Sequence, residues 1–250
     1  MVCAVANQKG GVGKTTTAIN VSVLLACRGE RVLATDADPQ FALPRQLGIE
    51  VRSLGVNLVD VLGGRADMAD AIVADVHGVD VVPGARELAG VEMSLVGEMG
   101  RERFLHNALD PVIASYQRIV IDTPPNLGLL TVNALACANT VLASVSAEDE
   151  ASVQGIVELR ATIAKLERLG GARPRLLALL TRWAPRRIIS EVIDEALIEL
   201  DLPPVGRIPA RAAVAQAAAA HVPLAVSARD SAVTLAYDRL IDHMAEVVNR

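Results

Sequence analysis

Eight consecutive residues near the start of the chain, Lys9-Gly10-Gly11-Val12-Gly13-Lys14-Thr15-Thr16, hold three glycines and two of the only three lysines in the sequence. Glycines at 10, 11 and 13 let backbone N–H groups converge on a phosphate without Cβ obstruction. Lys14 can then reach the β and γ oxygens of a nucleotide, and the Thr15 hydroxyl can take one position on Mg2+. The run from Gly10 through Val12 to Thr16 is therefore the candidate nucleotide cradle. Two further segments supply acids. One is Thr35-Asp36-Ala37-Asp38-Pro39-Gln40, with two carboxylates, and the other is Arg118-Ile119-Val120-Ile121-Asp122-Thr123-Pro124-Pro125, an apolar run delivering one. Asp122 fits a carboxylate that holds Mg2+ through a water. For Asp36 and Asp38 the structural alternative is capping of the helix that follows.

These residues need strands that end where the loop begins. Apolar, β-branched runs alternate with helical patterns along the whole length, the mark of a mostly parallel, doubly wound α/β sheet with helices on both faces. The patterning predicts strands over 2–6, 31–35, 79–82, 118–121, 140–145, 176–180 and 205–208. A helix over 14–27 carries the phosphate loop at its N-terminus, where the helix dipole favours anions, and stops at Gly29. A second, over 188–200, places Ile188, Ile189, Val192, Ile193, Ala196, Leu197 and Leu200 on one stripe, read as core. With no repeat and no change of composition, residues 1–250 read as a single domain, and because the glycine loop already starts at Lys9 no N-terminal helix-turn-helix extension is expected ahead of this P-loop domain.

Composition narrows the function classes. Hydrophobic residues make up 52% of 250 positions, which closes a sizeable core, while the 2% aromatic content leaves almost no surface for stacking single-stranded bases. The three cysteines form no C-x-x-C pair, arguing against a disulfide framework, a zinc site or a cluster shared between subunits. Cys27 and Cys137 read as small buried residues of apolar helices. No apolar run is long enough to cross a bilayer, and the expectation is a cytoplasmic protein. Net charge is −5, distributed unevenly: residues 1–150 carry 11 basic against 18 acidic side chains, and residues 151–250 carry 13 against 11. Six arginines and no acid lie between Arg168 and Ser190, which points weakly to a polyanion or, equally, to a solvated charged face.

The Gly-Lys-Thr loop headed by Lys9, the Asp-x-Asp-Pro-Gln segment, the Asp122 strand and the run from Asn126 to Ala138 together resemble the deviant Walker A family. Within it they are similar to the ParA/Soj partition ATPases. The resemblance spans most of the chain, more weakly over 41–78 and after 180. It implies ATP and Mg2+ as ligands and a homodimer closed by ATP, in which Lys9 crosses the interface to the partner's nucleotide. It further implies that Asp38 handles the attacking water, that Asp36 helps shape the metal and interface region, and that Pro209, in an Ile-Pro loop, lies beside the adenine. One position departs: the family usually has glycine after Asp-Pro-Gln, and this chain has Phe41.

Members of this family act on DNA, on membranes or as metal-cluster carriers. The cysteines speak against the last. The C-terminal helix carries a stripe of Val233, Ala236, Tyr237, Leu240, Met244, Val247 and Val248 opposite Asp238, Asp242 and Glu246, and an acidic polar face is repelled by anionic lipid. For DNA the candidates are Arg182, Arg186, Arg187 and Arg211, with Arg186 and Arg187 at a helix N-terminus where cations need compensation. A position that is often a DNA-contacting arginine in the family is Ala213. The expectation is an ATP-dependent partition or positioning ATPase that binds double-stranded DNA nonspecifically and associates with the nucleoid. Its turnover would be stimulated by a ParB-like centromere-binding or cargo adaptor protein. Alternatives are positioning of a protein cargo and a MinD-like membrane-surface regulator.

Overall fold

The computed structural model describes residues 1–248, without the side chain of Val248. Val248's place in the C-terminal stripe lies outside the described side chains. From the N-terminus the elements are β1 (Val2–Ala6), α1 (Lys14–Cys27), β2 (Val32–Asp36), α2 (Ala42–Gln46), α3 (Leu58–Leu62), β3 (Val73–Val76) and β4 (Val79–Val82). There follow α4 (Leu88–Leu95), α5 (Phe104–Ile113), β5 (Arg118–Asp122), α6 (Leu129–Cys137), β6 (Thr140–Ser146) and α7 (Ala151–Arg168). The last third holds β7 (Arg175–Trp183), α8 (Ile188–Glu199), β8 (Gly206–Pro209), α9 (Ala212–Ala220), α10 (Leu224–Ser227) and α11 (Ala232–Val248).

The strands form one sheet in the order β3-β4-β2-β5-β1-β6-β7-β8, parallel throughout except for β3 against β4. From β1 the chain winds one way to β2 and β4, returns to β5, then winds the other way through β6, β7 and β8. Open α/β sheets bind ligands at the carboxyl ends of strands where the winding reverses, and here that is the end of β1. The central strands are buried on both faces and so read as runs without polar alternation, unbroken and apolar in VCAVA of β1 and interrupted only by small hydroxyl residues in TVLASVS of β6. The sequence-predicted strands are all present to within a few residues. The antiparallel edge strand β3 is additional. It has four residues, none fully buried, joined to β4 by a turn in which His77 and Gly78 have positive φ, and its pattern is too short to register.

One core layer packs α3, α4, α5, α6, α7 and α8 on one face of the sheet, and the other packs α1, α9, α10 and α11 on the opposite face. α1 is buried from Thr17 to Leu25, as expected of a helix covered by sheet on one side and α11 on the other. Two readings of helical stripes change. Of the α8 stripe only Ile193 and Leu197 are fully buried, while Ile188 is 79% and Val192 42% exposed, so part of that stripe faces outward. Cys27, the last residue of α1, is exposed, and Cys137 is half-buried. The core stripe of α11 does hold through Val233, Ala236, Tyr237, Leu240 and Met244. Its acidic face meets Arg28, which pairs with Asp238 at 2.6 Å and Asp242 at 2.7 Å.

Candidate functional site

The loop from Gln8 to Gly13 leaves β1 and enters α1 without a side-chain cap, so the first N–H groups of a buried helix point into the loop with no partner from the capping residue. Gly11 and Gly13 have φ of +73° and +85°, values that exclude most L side chains and curl the backbone around a concavity. The Thr181 hydroxyl, at the end of β7, donates to the Val12 carbonyl at 2.8 Å, fixing the loop to the sheet. Lys14 is 6% exposed, and its ammonium donates to the Lys9 carbonyl at 3.1 Å. Burial pulls its pKa down, against the opposing attraction of Asp122 and Asp38.

β5 lies between β1 and β2, and the register pairs Asp122 with Val5 on one side and Asp36 on the other. The sheet itself thus brings two carboxylates to the foot of the phosphate loop. They differ in how they are satisfied. Asp36 Oδ1 accepts from Asp38 N at 2.9 Å and Oδ2 from Leu43 N at 3.2 Å, so it ties β2 to the head of α2. Both oxygens of Asp122, fully buried, have no hydrogen-bond partner. Burial pushes the Asp122 carboxyl up to about 7; the nearby Thr15 hydroxyl and Lys14 oppose the shift, and the charge of Asp38 adds to it. Asp36 is also raised well above the usual carboxylate range, by burial and then by Asp122, with the Asp38 and Leu43 N–H groups opposing. Asp38 is 7% exposed and accepts from Gln40 N at 2.9 Å.

A buried carboxylate with two free acceptors, next to a threonine and a cationic loop, is suited to a hydrated divalent cation. Among the described residues no group of three or more acidic, histidine or cysteine ligands gathers as a cage. Mg2+ is typically held by one or two protein groups with phosphates and water, so Thr15 and Asp122 are a sufficient protein contribution.

Lys9 stands exposed at the head of the loop, with Nζ 3.3 Å from Asp149 and its backbone N–H donating to Asn7 Oδ1 at 3.0 Å. Phe41, the departure noted in the sequence, adopts φ 41° and ψ 44° at the head of α2, the left-handed conformation that a glycine there would take without strain.

Beside the loop opens a cleft of about 590 Å³ lined by Gly13, Thr16, Thr181, Pro209, Val214 and Tyr237, and this is where Pro209 lies. Tyr237 is buried and shares a 3.1 Å hydrogen bond with Thr17, linking α11 to the phosphate-loop helix. Arg182 and Arg211 line the same cleft at its rim. Arg182 pairs with Glu148 at 3.5 Å and Arg187 pairs with the same carboxylate at 2.5 Å. Of the two cations at the start of α8, Arg187 is thus compensated within the chain by Glu148, and Glu191 places an acid in the first turn, while Arg186 has no ion pair among the described residues. Arg186 is exposed with a φ of 64°. Asn7, Glu148, Asp149 and Thr181 carried no signal of spacing in the sequence, because each meets the site only through strand and helix packing, and Tyr237 was legible only as core of α11.

The family described as AAA domain matches residues 1–176. The chain is 42% identical over 198 residues to the chromosome partitioning protein ParA of Caulobacter vibrioides, covering 77% of this chain and 73% of that protein. It is 44% identical over 163 residues to the sporulation initiation inhibitor protein Soj of Bacillus subtilis, covering 65% and 64%. Among solved structures, cobyrinic acid a,c-diamide synthase of Mycobacterium smegmatis, with a bound ATP analogue and magnesium, superposes with a TM-score of 0.85 at 31% identity over 98% of this chain and 94% of that one. The phosphate loop, the two strand-end carboxylates and these relationships agree: the chain belongs to the ParA/Soj-like family of P-loop ATPases.

Proposed function

We infer that the protein is an Mg2+-dependent ATPase that uses ATP binding to form a dimer, binds DNA without sequence preference in that state, and positions a DNA or protein cargo. The observation that carries the chemistry is the unpartnered, buried carboxylate of Asp122 beside Thr15 and Lys14, at the end of the strand next to the one that feeds the loop. On this reading the loop N–H groups and Lys14 hold the ATP phosphates, and Thr15 and Asp122 hold Mg2+. Asp38 orients the attacking water, with Asp36 fixing the backbone between them. Held by Thr15 and Asp122, Mg2+ would supply neutralisation of the phosphate charge. Pro209 and the adjoining cleft take the base.

Two partition-type relatives at 42% and 44% identity, against 31% for the diamide synthase, favour the positioning reading over amide-bond synthesis. Arg186 and Arg211, exposed and free of the Glu148 pairings, are the first candidates for DNA phosphates, with Arg182 and Arg187 behind them. On this reading the protein is cytoplasmic and nucleoid-associated, and a ParB-like centromere-binding or cargo adaptor protein stimulates turnover. No helix among the described residues is long and apolar enough to cross a membrane. Co-sedimentation with double-stranded DNA and with anionic liposomes, each with ATP, ADP or no nucleotide, tests the proposal. ATP-dependent pelleting with DNA alone supports it; pelleting with liposomes alone replaces it with a membrane-surface regulator. ATP turnover with neither leaves a protein cargo as the object positioned.

A further inference from the structure

Asn7 is the last residue before the phosphate loop and is 1% exposed. Its Nδ2 donates to the Ser144 carbonyl in β6 at 2.7 Å and to the Ser152 carbonyl in α7 at 3.1 Å, while its Oδ1 accepts the Lys9 N–H at 3.0 Å. This is the only orientation of the amide that satisfies all three bonds, since two partners are acceptors and one is a donor. The side chain therefore bolts the head of the loop to a central strand and to the first turn of the helix beside it. On the far side of the amide lies Gly155, in the second turn of α7. A Cβ built there would clash with Asn7 Oδ1 and come within 3.2 Å of its Cγ. The end of an exposed side chain could move aside, but this one is enclosed and held by three hydrogen bonds. Glycine at 155 is thus a condition for the position of Asn7. Asp149, the partner of Lys9, lies two residues before α7 and accepts from Ala151 N at 3.0 Å, so both the backbone and the ammonium of Lys9 are referenced to one helix end.

We propose that Asn7 and Gly155 form a positioning pair for Lys9, fixing the loop head so that this lysine is presented at one place and angle for its role across the dimer. Neither residue touches nucleotide; both act through Lys9. The pair rests on the ATP-dimer reading under Proposed function, with Lys9 in the cross-interface role that the family resemblance implies for it. Lys14, by contrast, is placed by the glycines and by α1, and its ammonium meets the loop head through the 3.1 Å bond to the Lys9 carbonyl, a bond for which nucleotide phosphates compete. Disturbing Asn7 separates the two lysines, leaving phosphate binding in place and removing the contribution of Lys9.

The test uses the full chain and its variants Asn7→Ala, Gly155→Ala and Lys9→Ala, the Asn7→Ala/Gly155→Ala pair, and each of the first two combined with Lys9→Ala. ATP–Mg2+ affinity is read by calorimetry, dimerisation by sedimentation with ATP, and turnover by phosphate release. The expected result is that Asn7→Ala and Gly155→Ala each keep ATP affinity within about threefold and lose tenfold or more in turnover and in ATP-dependent dimerisation. Neither should cost more when added to Lys9→Ala, and the Asn7/Gly155 pair should be no worse than the weaker single variant, because the clash needs both side chains. Should Asn7→Ala fold poorly, Gly155→Ala, which removes no hydrogen-bonding group, carries the same test. Equal loss of ATP affinity and turnover, or a further tenfold loss in the Lys9→Ala background, overturns the proposal and makes the residues general supports of the loop. If the unaltered chain neither dimerises nor turns over ATP, the ATPase reading falls first and this pair with it. A working parent with additive variants rejects the pair alone.

Discussion

Lys14 and Asp38 stand close enough for their charges to interact, yet on the proposed reading they have different tasks. Lys14 is a buried cation whose neighbours are acids and a loop built for anions. Lys14→Ala should lower ATP affinity roughly 30-fold or more, the cost of leaving phosphates without their buried partner. Asp38→Ala should keep ATP and accumulate as an ATP-bound dimer with turnover reduced about a hundredfold or more, and a monomer in sedimentation with ATP would remove its assignment to the water step. Asp122 adds a pH dependence. Its folded-state pKa, about 7, is above the ordinary value of 3.8, so the proton it binds favours the folded chain. That stability is complete below about pH 4 and is lost as pH rises through 7. Without nucleotide or Mg2+, Asp122→Asn should melt higher than the parent at pH 8 and about equally at pH 4, while abolishing Mg2+-dependent turnover. A variant that melts lower at pH 8 would show that the carboxylate is satisfied in the free protein. Residues of this kind were legible in the sequence because their type and spacing are themselves the chemistry. Asn7 was not, because an asparagine ahead of a glycine loop becomes informative only when β6 and α7 are packed against it.

Elements were legible where burial is complete and ambiguous where it is partial. The strands at the sheet centre are apolar on both faces and announce themselves, as does α1, whereas β3 is short and half-exposed. The stripe of α8 was only partly right for a different reason: period 3.6 identifies a helix but does not say how wide a face is covered, and here full burial is confined to Ile193 and Leu197, with Ile189 packed beside them. The segment after Asp38 illustrates local strain. Phe41 holds a left-handed backbone conformation, costing on the order of 1 kcal/mol for a non-glycine residue. β-branched residues tolerate that conformation least and asparagine better than most. Phe41→Val should therefore be destabilised by about 1 kcal/mol more than Phe41→Asn in urea unfolding, although valine better replaces the lost apolar surface. The opposite order would mean that the segment relaxes out of the left-handed region and that contact, not backbone, governs this turn.

At the scale of the whole molecule the question is how a protein of net charge −5 could hold DNA. The arginine-rich stretch looked acid-free along the chain, but folding places Glu148, from the end of β6, between Arg182 and Arg187. Sequence distance conceals such compensation because strands adjacent in a parallel sheet are joined by long crossovers. Each pair is partly exposed and worth little in water, yet it lowers the charge the surface presents. If Arg186 and Arg211 of each subunit meet phosphates in an ATP dimer, four contacts give a slope of log affinity against log salt of about −4, from −0.9 per contact. Glu148→Gln releases Arg182 and Arg187 without adding a charge of its own, so it should raise affinity at low salt and steepen the slope towards about −7 as up to four further contacts become available. Arg186→Ala should flatten the parent's slope to about −2 while leaving DNA-free ATP turnover near the parent value. These slopes are read by fluorescence anisotropy on duplexes of unrelated sequence, in ATP and Mg2+. If ATP closes a dimer and ADP does not, two weak patches meet one duplex and the second engagement is intramolecular, so binding with ADP should be at least tenfold weaker than with ATP. Equal binding with ATP and ADP would show that the arginines act singly, and a slope unchanged by Glu148→Gln would place the DNA surface elsewhere on the molecule.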